Sequence, residues 1–218
     1  MKTLYESLLD DYDKLEKAAT ETEVEEARSK VIEYLKKYYN FSRCFKVGDK
    51  IGSDGKFPVY WNQKAPITIL DKSIEDLSNG LFTFVNVKST IDIYDCPNLK
   101  RISGMPYVWK GRFVISNCPK LESLEGCPTK VDGSFNVIGC GLKSLKGGPK
   151  YVDREYVVRD NDLENLVGAP YDVVMLDCTG NPRLRSLKGC PKEIGTLYCD
   201  GQWTEEEISK VCKINMVL

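Results

Sequence analysis

The sequence predicts an α+β chain whose larger part is a parallel β-sheet solenoid, with a helical hairpin before it and a short capping helix after it. Three observations carry that expectation. A Gly-x-Pro triplet recurs at Gly104-Met105-Pro106, Gly126-Cys127-Pro128, Gly147-Gly148-Pro149, Gly168-Ala169-Pro170 and Gly189-Cys190-Pro191, its glycines stepping by 22, 21, 21 and 21 residues. An apolar pair precedes each triplet in the same register: Leu99/Ile102, Leu121/Leu124, Leu142/Leu145, Leu163/Leu166 and Leu184/Leu187. A short segment of alternating apolar residues follows each triplet, with strand periodicity and one face buried.

The elements follow in order. Residues 1–41 read as the helical hairpin: Leu4, Leu8 and Leu15 with Tyr5 and Tyr12 lie at helical spacing. Thr22-Glu23-Val24-Glu25 then opens a second helix carrying Val24, Ala27, Val31, Leu35 and Tyr38. Residues 42–83 read as a β-hairpin, 44–51 and 57–61 about a Ser53-Asp54-Gly55 turn, and a degenerate first coil with strands at 67–70 and 82–87. The Asp-Gly turn also accounts for the glycines of segment 48–56, which lacks the spacing and the Lys-Ser/Thr ending of a phosphate loop.

Residues 84–201 form the solenoid. After each proline stands an apolar residue (Val108, Val131, Val152, Val173, Ile194). The alternating pairs are Ile91/Ile93, Phe113/Ile115, Phe135/Val137, Tyr156/Val158, Leu176/Cys178 and Leu197/Cys199. One strand per coil, always in the same direction, predicts a parallel sheet at about 4.8 Å per coil. The triplet turns the chain onto its return path because proline cannot donate to a ladder. Cys96, Cys118, Cys140, Asn161 and Asn181 fall in one column at the following bend, where each side chain can bond the backbone of the turn. Residues 202–218 read as the capping helix, opened by Thr204-Glu205-Glu206-Glu207 and burying Ile208, Val211 and Cys212.

The unit Val173-x-x-Leu176-x-Cys178-x-x-Asn181-x-x-Leu184 resembles the leucine-rich-repeat signature over residues 84–201. The short coil with a proline-bearing return is similar to repeats of bacterial effectors, and more closely to L-x-S-L-x-G-x-P repeats of bacteriophage proteins. The resemblance implies a leucine-rich-repeat-like solenoid that binds other macromolecules, and names no partner.

Composition narrows the function. The chain has no histidine, which removes the commonest general base and every His-containing metal site or Ser-His and Cys-His pair. Its nine cysteines are odd in number, contain no C-x-x-C pair and mostly occupy repeat positions, so they read as buried structural thiols without metal or redox work. Asp160, Asp162 and Glu164 lack the glycine and spacing of a calcium loop. No catalytic residue, metal or cofactor is expected. The acidic first residues lack a secretory apolar core, and no segment is long enough to cross a bilayer, so a cytoplasmic protein without membrane contact is expected.

Lysines at 142–150 and 183–192 suggest a nucleic-acid stripe, but the column Lys100, Glu122, Lys143, Glu164, Arg185 alternates in sign. Such a column pairs between coils, whereas a phosphate stripe keeps one sign, so no nucleic-acid partner is expected. The outward strand positions remain: Asp92, Val114, Asn136, Val157, Asp177, Tyr198 in one column and Tyr94, Ser116, Ile138, Arg159, Thr179, Asp200 in the next. The candidate partner-binding residues are Asp92, Tyr94, Val114, Ile138, Val157, Arg159 and Tyr198, an apolar patch rimmed by aromatic and charged groups. A non-enzymatic protein-binding module is expected, in the phage setting an accessory factor acting on a host protein in the host cytoplasm. The alternatives are a virion or assembly part acting through homo-oligomerisation, and an effector-type enzyme, for which the roughly seventeen residues after the last coil leave no catalytic domain.

Overall fold

The computed structural model describes residues 21–39, 45–61 and 66–217. The chain runs through α1 (Glu21–Tyr38), the antiparallel pair β1 (Phe45–Val47) and β2 (Phe57–Trp61), then β3 (Ile67–Ile69) and β4 (Phe82–Val85). The coils follow as β5 (Ile91–Tyr94), β6 (Val108–Trp109), β7 (Phe113–Ser116), β8 (Lys130–Val131), β9 (Phe135–Ile138), β10 (Tyr151–Val152) and β11 (Glu155–Val157). Last come β12 (Asp172–Asp177), β13 (Glu193–Tyr198), the short helix α2 (Glu205–Ser209) and β14 (Lys213–Val217).

Eight of these strands make one parallel sheet in the order β14-β13-β12-β11-β9-β7-β5-β3, the parallel β-solenoid that the repeat spacing predicts. Phe113, Phe135, Tyr156, Leu176 and Leu197 stand in register, all fully buried. Their rings stack face to face, Phe113 on Phe135 at 5.6 Å and Phe135 on Tyr156 at 5.7 Å. The strand period of two drives this, since every second side chain enters a core closed by the leucines of the return path.

A second, narrow sheet, β10-β8-β6, lines the corner after each proline. Its inward column is Trp109, Val131, Val152, continued in β12 and β13 by Val173 and Ile194. Here the expected position of Val108 is corrected: Trp109 takes the buried place and Val108 is half-exposed. Trp109 follows Pro106 by three residues, the same offset as Val131 after Pro128, whereas Val108 follows it by two and so falls off the column. Trp109 Nε1 then donates to Ser89 O at 2.8 Å, so its one polar atom is satisfied inside the core. At Gly126 (φ +92°) a Cβ would stand 1.7 Å from the carbonyl oxygen of Ile102 in the preceding coil, so only glycine lets adjacent coils close there.

The turn column forms as expected, by two chemistries. Asn161 Oδ1 accepts from the amides of Cys140 (3.1 Å) and Leu142 (3.2 Å), and its Nδ2 lies 2.9–3.1 Å from the carbonyls of Val137, Val158 and Arg159. Asn181 repeats this one coil on. Cys96, Cys118 and Cys140 each donate a weak S–H bond to the carbonyl two residues back, at 3.3–3.4 Å. The Cys140 thiol and burial push the Cys118 thiol up to about 12. Burial, helped by the nearby Cys199 thiol and the Asp177 and Asp200 carboxylates, pushes Cys178, on the inward strand column, to about 12 as well. Such thiols stay protonated at neutral pH and pack as small apolar groups.

The two ends differ. At the N-terminal end α1 buries Val31 and Leu35, and Tyr39 just beyond it donates to Leu77 O at 2.5 Å. Thr22 lies inside this helix rather than capping it. The expected first helix of the hairpin lies outside the described residues. Tyr34 Oη donates to Asp76 O, and the buried Asp76 carboxylate accepts from Ser78 N, Ser103 Oγ and Arg101 Nε. β4 pairs with β2, and Tyr39, Phe84, Trp109 and Phe113 form an edge-to-face chain from the cap into the first coils. At the other end Thr204 makes the expected capping box with Glu207, and Ile208 and Cys212 are buried. Val211, expected inside, is 45% exposed, because the helix stops at Ser209 and β14 adds another strand to the sheet.

The charged column aligns as expected, with Glu122 N bonding Lys100 O and Arg185 N bonding Glu164 O. Its side chains do not form a ladder of pairs. Lys100 turns instead to Glu75 at 2.9 Å, and among the described residues Glu122, Lys143, Glu164 and Arg185 make no ion pair. The alternation keeps like charges apart at a spacing where exposed pairs add little.

Candidate binding face

The outer face of the long sheet carries three columns of outward side chains. The central one runs Thr68, Asp92, Val114, Asn136, Val157, Asp177, Tyr198, each pair aligned by strand register. On one side lie Arg112, Ser134, Glu155, Met175 and Thr196, and on the other Tyr94, Ser116, Ile138, Arg159, Thr179 and Asp200. Each strand then ends on a bend, and Asp95, Asn117 and Asp160 occupy that bend with φ of 53–57°. Asparagine and aspartate tolerate this left-handed conformation better than most residues.

The candidate residues all lie on this face, but they do not form one exposed apolar patch. Val114 and Val157 are only 9% and 7% exposed, which corrects the expectation that they stand free. The alternation sets the side correctly. It does not register that a short β-branched side chain about 4.8 Å from taller neighbours on both sides is overtopped by them. Asn136, between the two valines, is itself 4% exposed. With its amide oriented so that both ends are satisfied, its oxygen accepts from Arg112 Nη2 at 3.0 Å.

Ile138, Asp92, Tyr94 and Tyr198 are half-exposed, and Arg159 is exposed, 3.6 Å from Asp160. Asp92, Tyr94 and Val114 come together with Thr68, Ser116 and Asn117 around a shallow recess. Ile138 and Arg159 are neighbours one coil apart. Tyr198 stands apart, five coils or about 24 Å from Asp92.

The polar groups of the face are mostly engaged locally. Asp177 accepts from Thr179 N and Oγ1, Asp200 from Gly180 N, Asp95 from Asn117 Nδ2 at 3.0 Å, and Glu155 from Ser134 Oγ at 3.2 Å. Among the described residues no cluster of three cysteine or carboxylate side chains fits a metal, and no helix is long and apolar enough to cross a membrane.

Two strongly exposed apolar side chains continue the face, Leu70 (51%) beside Tyr94 and Met216 (54%) beside Thr196, and others lie off it, where the alternation did not point. Tyr107 (68%), Tyr151 (50%), Tyr171 (54%) and Val174 (62%) stand on the corner side, with Tyr151 and Tyr171 in ring contact at 5.5 Å. Their signal was the short stretch after a proline: Tyr107 and Tyr171 follow one directly, Tyr151 stands two residues after Pro149 and Val174 four after Pro170.

Fold and face together define a repeat protein of the parallel β-solenoid class. No known family, no curated protein and no solved structure matches this chain.

Proposed function

We propose that this protein is a non-enzymatic binding module whose strand face docks another protein. The observation that carries the reading is that none of the described residues covers the face. The described part of the N-terminal appendage, α1 and Tyr39, packs against Asp76, Leu77, Phe82 and Phe84 at the end of the solenoid and leaves Tyr94, Ile138 and Tyr198 their exposure. A broad regular sheet carrying half-exposed aromatic and aliphatic anchors among polar groups has the composition of a protein-binding surface. The repeats resemble leucine-rich repeats of bacteriophage proteins, and in that setting the module is a cytoplasmic accessory factor that engages a host protein.

The test uses an Ile138→Asp/Tyr94→Ala/Tyr198→Ala variant, which spares the covered valines. With an unchanged melting temperature it is expected to lose the proteins that the parent chain captures from a host lysate. Retained capture, together with its loss in a Tyr107→Ala/Tyr151→Ala/Tyr171→Ala variant, moves the site to the corner.

A second reading, self-association, is favoured by the C-terminal end. Among the described residues β14 pairs on one side only, and Ile214 and Val217, which continue the buried positions of Ile194 and Leu197, remain half-exposed. An open strand edge of this kind is a template for another strand. Light scattering decides it: a dimer abolished by Met216→Pro supports this reading, and a monomer removes it.

A further inference from the structure

The distribution of charge on the strand face is unlike that of the chain as a whole. Over the full sequence the 31 Lys and Arg nearly balance the 32 Asp and Glu. In the three outward columns Asp92, Glu155, Asp177 and Asp200 are acidic, and Asp71, Asp95 and Asp160 add carboxylates at the strand ends. Against these stand only Arg112 and Arg159, and no lysine occupies any of these positions. The lysines have gone to the return path and the corners, as Lys100, Lys120, Lys143, Lys146, Lys150 and Lys188. Among the described residues, only Asp160 of these has a cation within ion-pair distance, Arg159 at 3.6 Å.

We infer that the partner seated on this face is a basic protein segment, one that presents lysine or arginine side chains along the sheet. The inference rests on the docking role proposed above and adds the chemistry of the partner. A net negative field over a flat face steers a cationic partner and disfavours anionic ones, nucleic acids included. Arg112 directs one N–H at the Asn136 amide, and its charge is outnumbered by the carboxylates around it. The half-exposed rings of Tyr94 and Tyr198, beside Asp92 and Asp177 respectively, add a surface on which a guanidinium or ammonium can stack.

The test uses the full chain and a fluorescein-labelled peptide of alternating lysine and serine, read by fluorescence anisotropy. The parent chain is expected to bind it at low salt, to weaken as salt rises, and to ignore the matching glutamate–serine peptide. An Asp92→Asn/Asp95→Asn/Glu155→Gln variant should bind the lysine peptide about tenfold more weakly. A Glu122→Gln/Glu125→Gln/Glu164→Gln variant, with the same change in net charge on the return path, should bind as the parent does. Ser116→Lys, which places a cation on the face without removing a carboxylate, should also weaken binding and guards against a folding defect in the triple variant. Equal losses in both triple variants, no binding of the lysine peptide, or tighter binding of a labelled single-stranded oligonucleotide each overturns the inference. Failure here with the Ile138/Tyr94/Tyr198 variant still losing its lysate partner leaves the docking face in place and removes only its charge preference. If that variant keeps its partner, the docking face itself is what fails.

Discussion

The coils carrying Cys96, Cys118 and Cys140 and the coils carrying Asn161 and Asn181 have nearly the same backbone, held by different chemistry. In the first group the bend is closed by weak sulfur bonds, and the core beside it is aromatic, with Trp109, Phe113 and Phe135 in contact. In the second the bend is closed by an amide that bonds backbone groups of two coils, and the core passes from the last stacked ring, Tyr156, to Leu176 and Leu197. The difference shows that the turn requires a small buried side chain that reaches the local carbonyl. Bonding between coils can come from the turn or from stacked rings. It also shows where the molecule is most brittle, since an amide with two acceptor and three donor contacts leaves more groups stranded when removed than a thiol does.

The sharpest way to break the comparison is Asn161→Ala. It strands the Cys140 and Leu142 amides inside the core, and a loss of about 3 kcal/mol in urea unfolding is expected. A loss under 1 kcal/mol, on the order of an ordinary exposed substitution, would remove the asymmetry between the two groups.

Next is alkaline pH. The Cys178 thiol has its folded pKa raised to about 12 from 9.0, so the unfolded chain releases this proton first. Stability is therefore intact below pH 9 and falls as pH rises toward 12. The expected loss is about 2 kcal/mol per such thiol at about pH 10.5, measured in reductant, and Cys178→Val removes its share. Cys118→Ala should cost only about 1 kcal/mol, for a small cavity and one weak bond, and a larger loss would place the thiol column on a par with the amides. Smallest is Tyr156→Phe. The Tyr156 hydroxyl is fully buried without a partner, so its removal is expected to leave the melting temperature unchanged or raise it slightly, by about 0.5 kcal/mol equivalent.

Much of this was legible in the residues, and the failures share a cause. The Gly-x-Pro register located every strand from Ile91 to Tyr198, because those residues mark a corner the backbone must make. It misplaced Val108 for Trp109, because an aliphatic residue beside the position drew the assignment away from the constant three-residue offset after each proline. It missed β14, because Ser209-Lys210-Val211-Cys212 turns the chain through a helix end and carries no triplet. On the face, alternation told which way Val114 and Val157 point but not the height of their neighbours. The acidic bias was present in the string all along. It becomes visible only when Asp71, Asp95 and Asp160, which follow their strands, are set beside the outward columns.

The glycine at each corner has a consequence for how such a chain can change in evolution. The corner glycine closes against the backbone of the coil before it, so each coil is a translation of its predecessor, and a single inserted residue would disengage that fit along with every strand beyond it. Duplicating or deleting one whole 21-residue unit restores the same contact at the junction. Lineages carrying this architecture should therefore differ in length by whole turns, acquired through unequal recombination between near-identical segments, and the width of the docking face should change in matching increments.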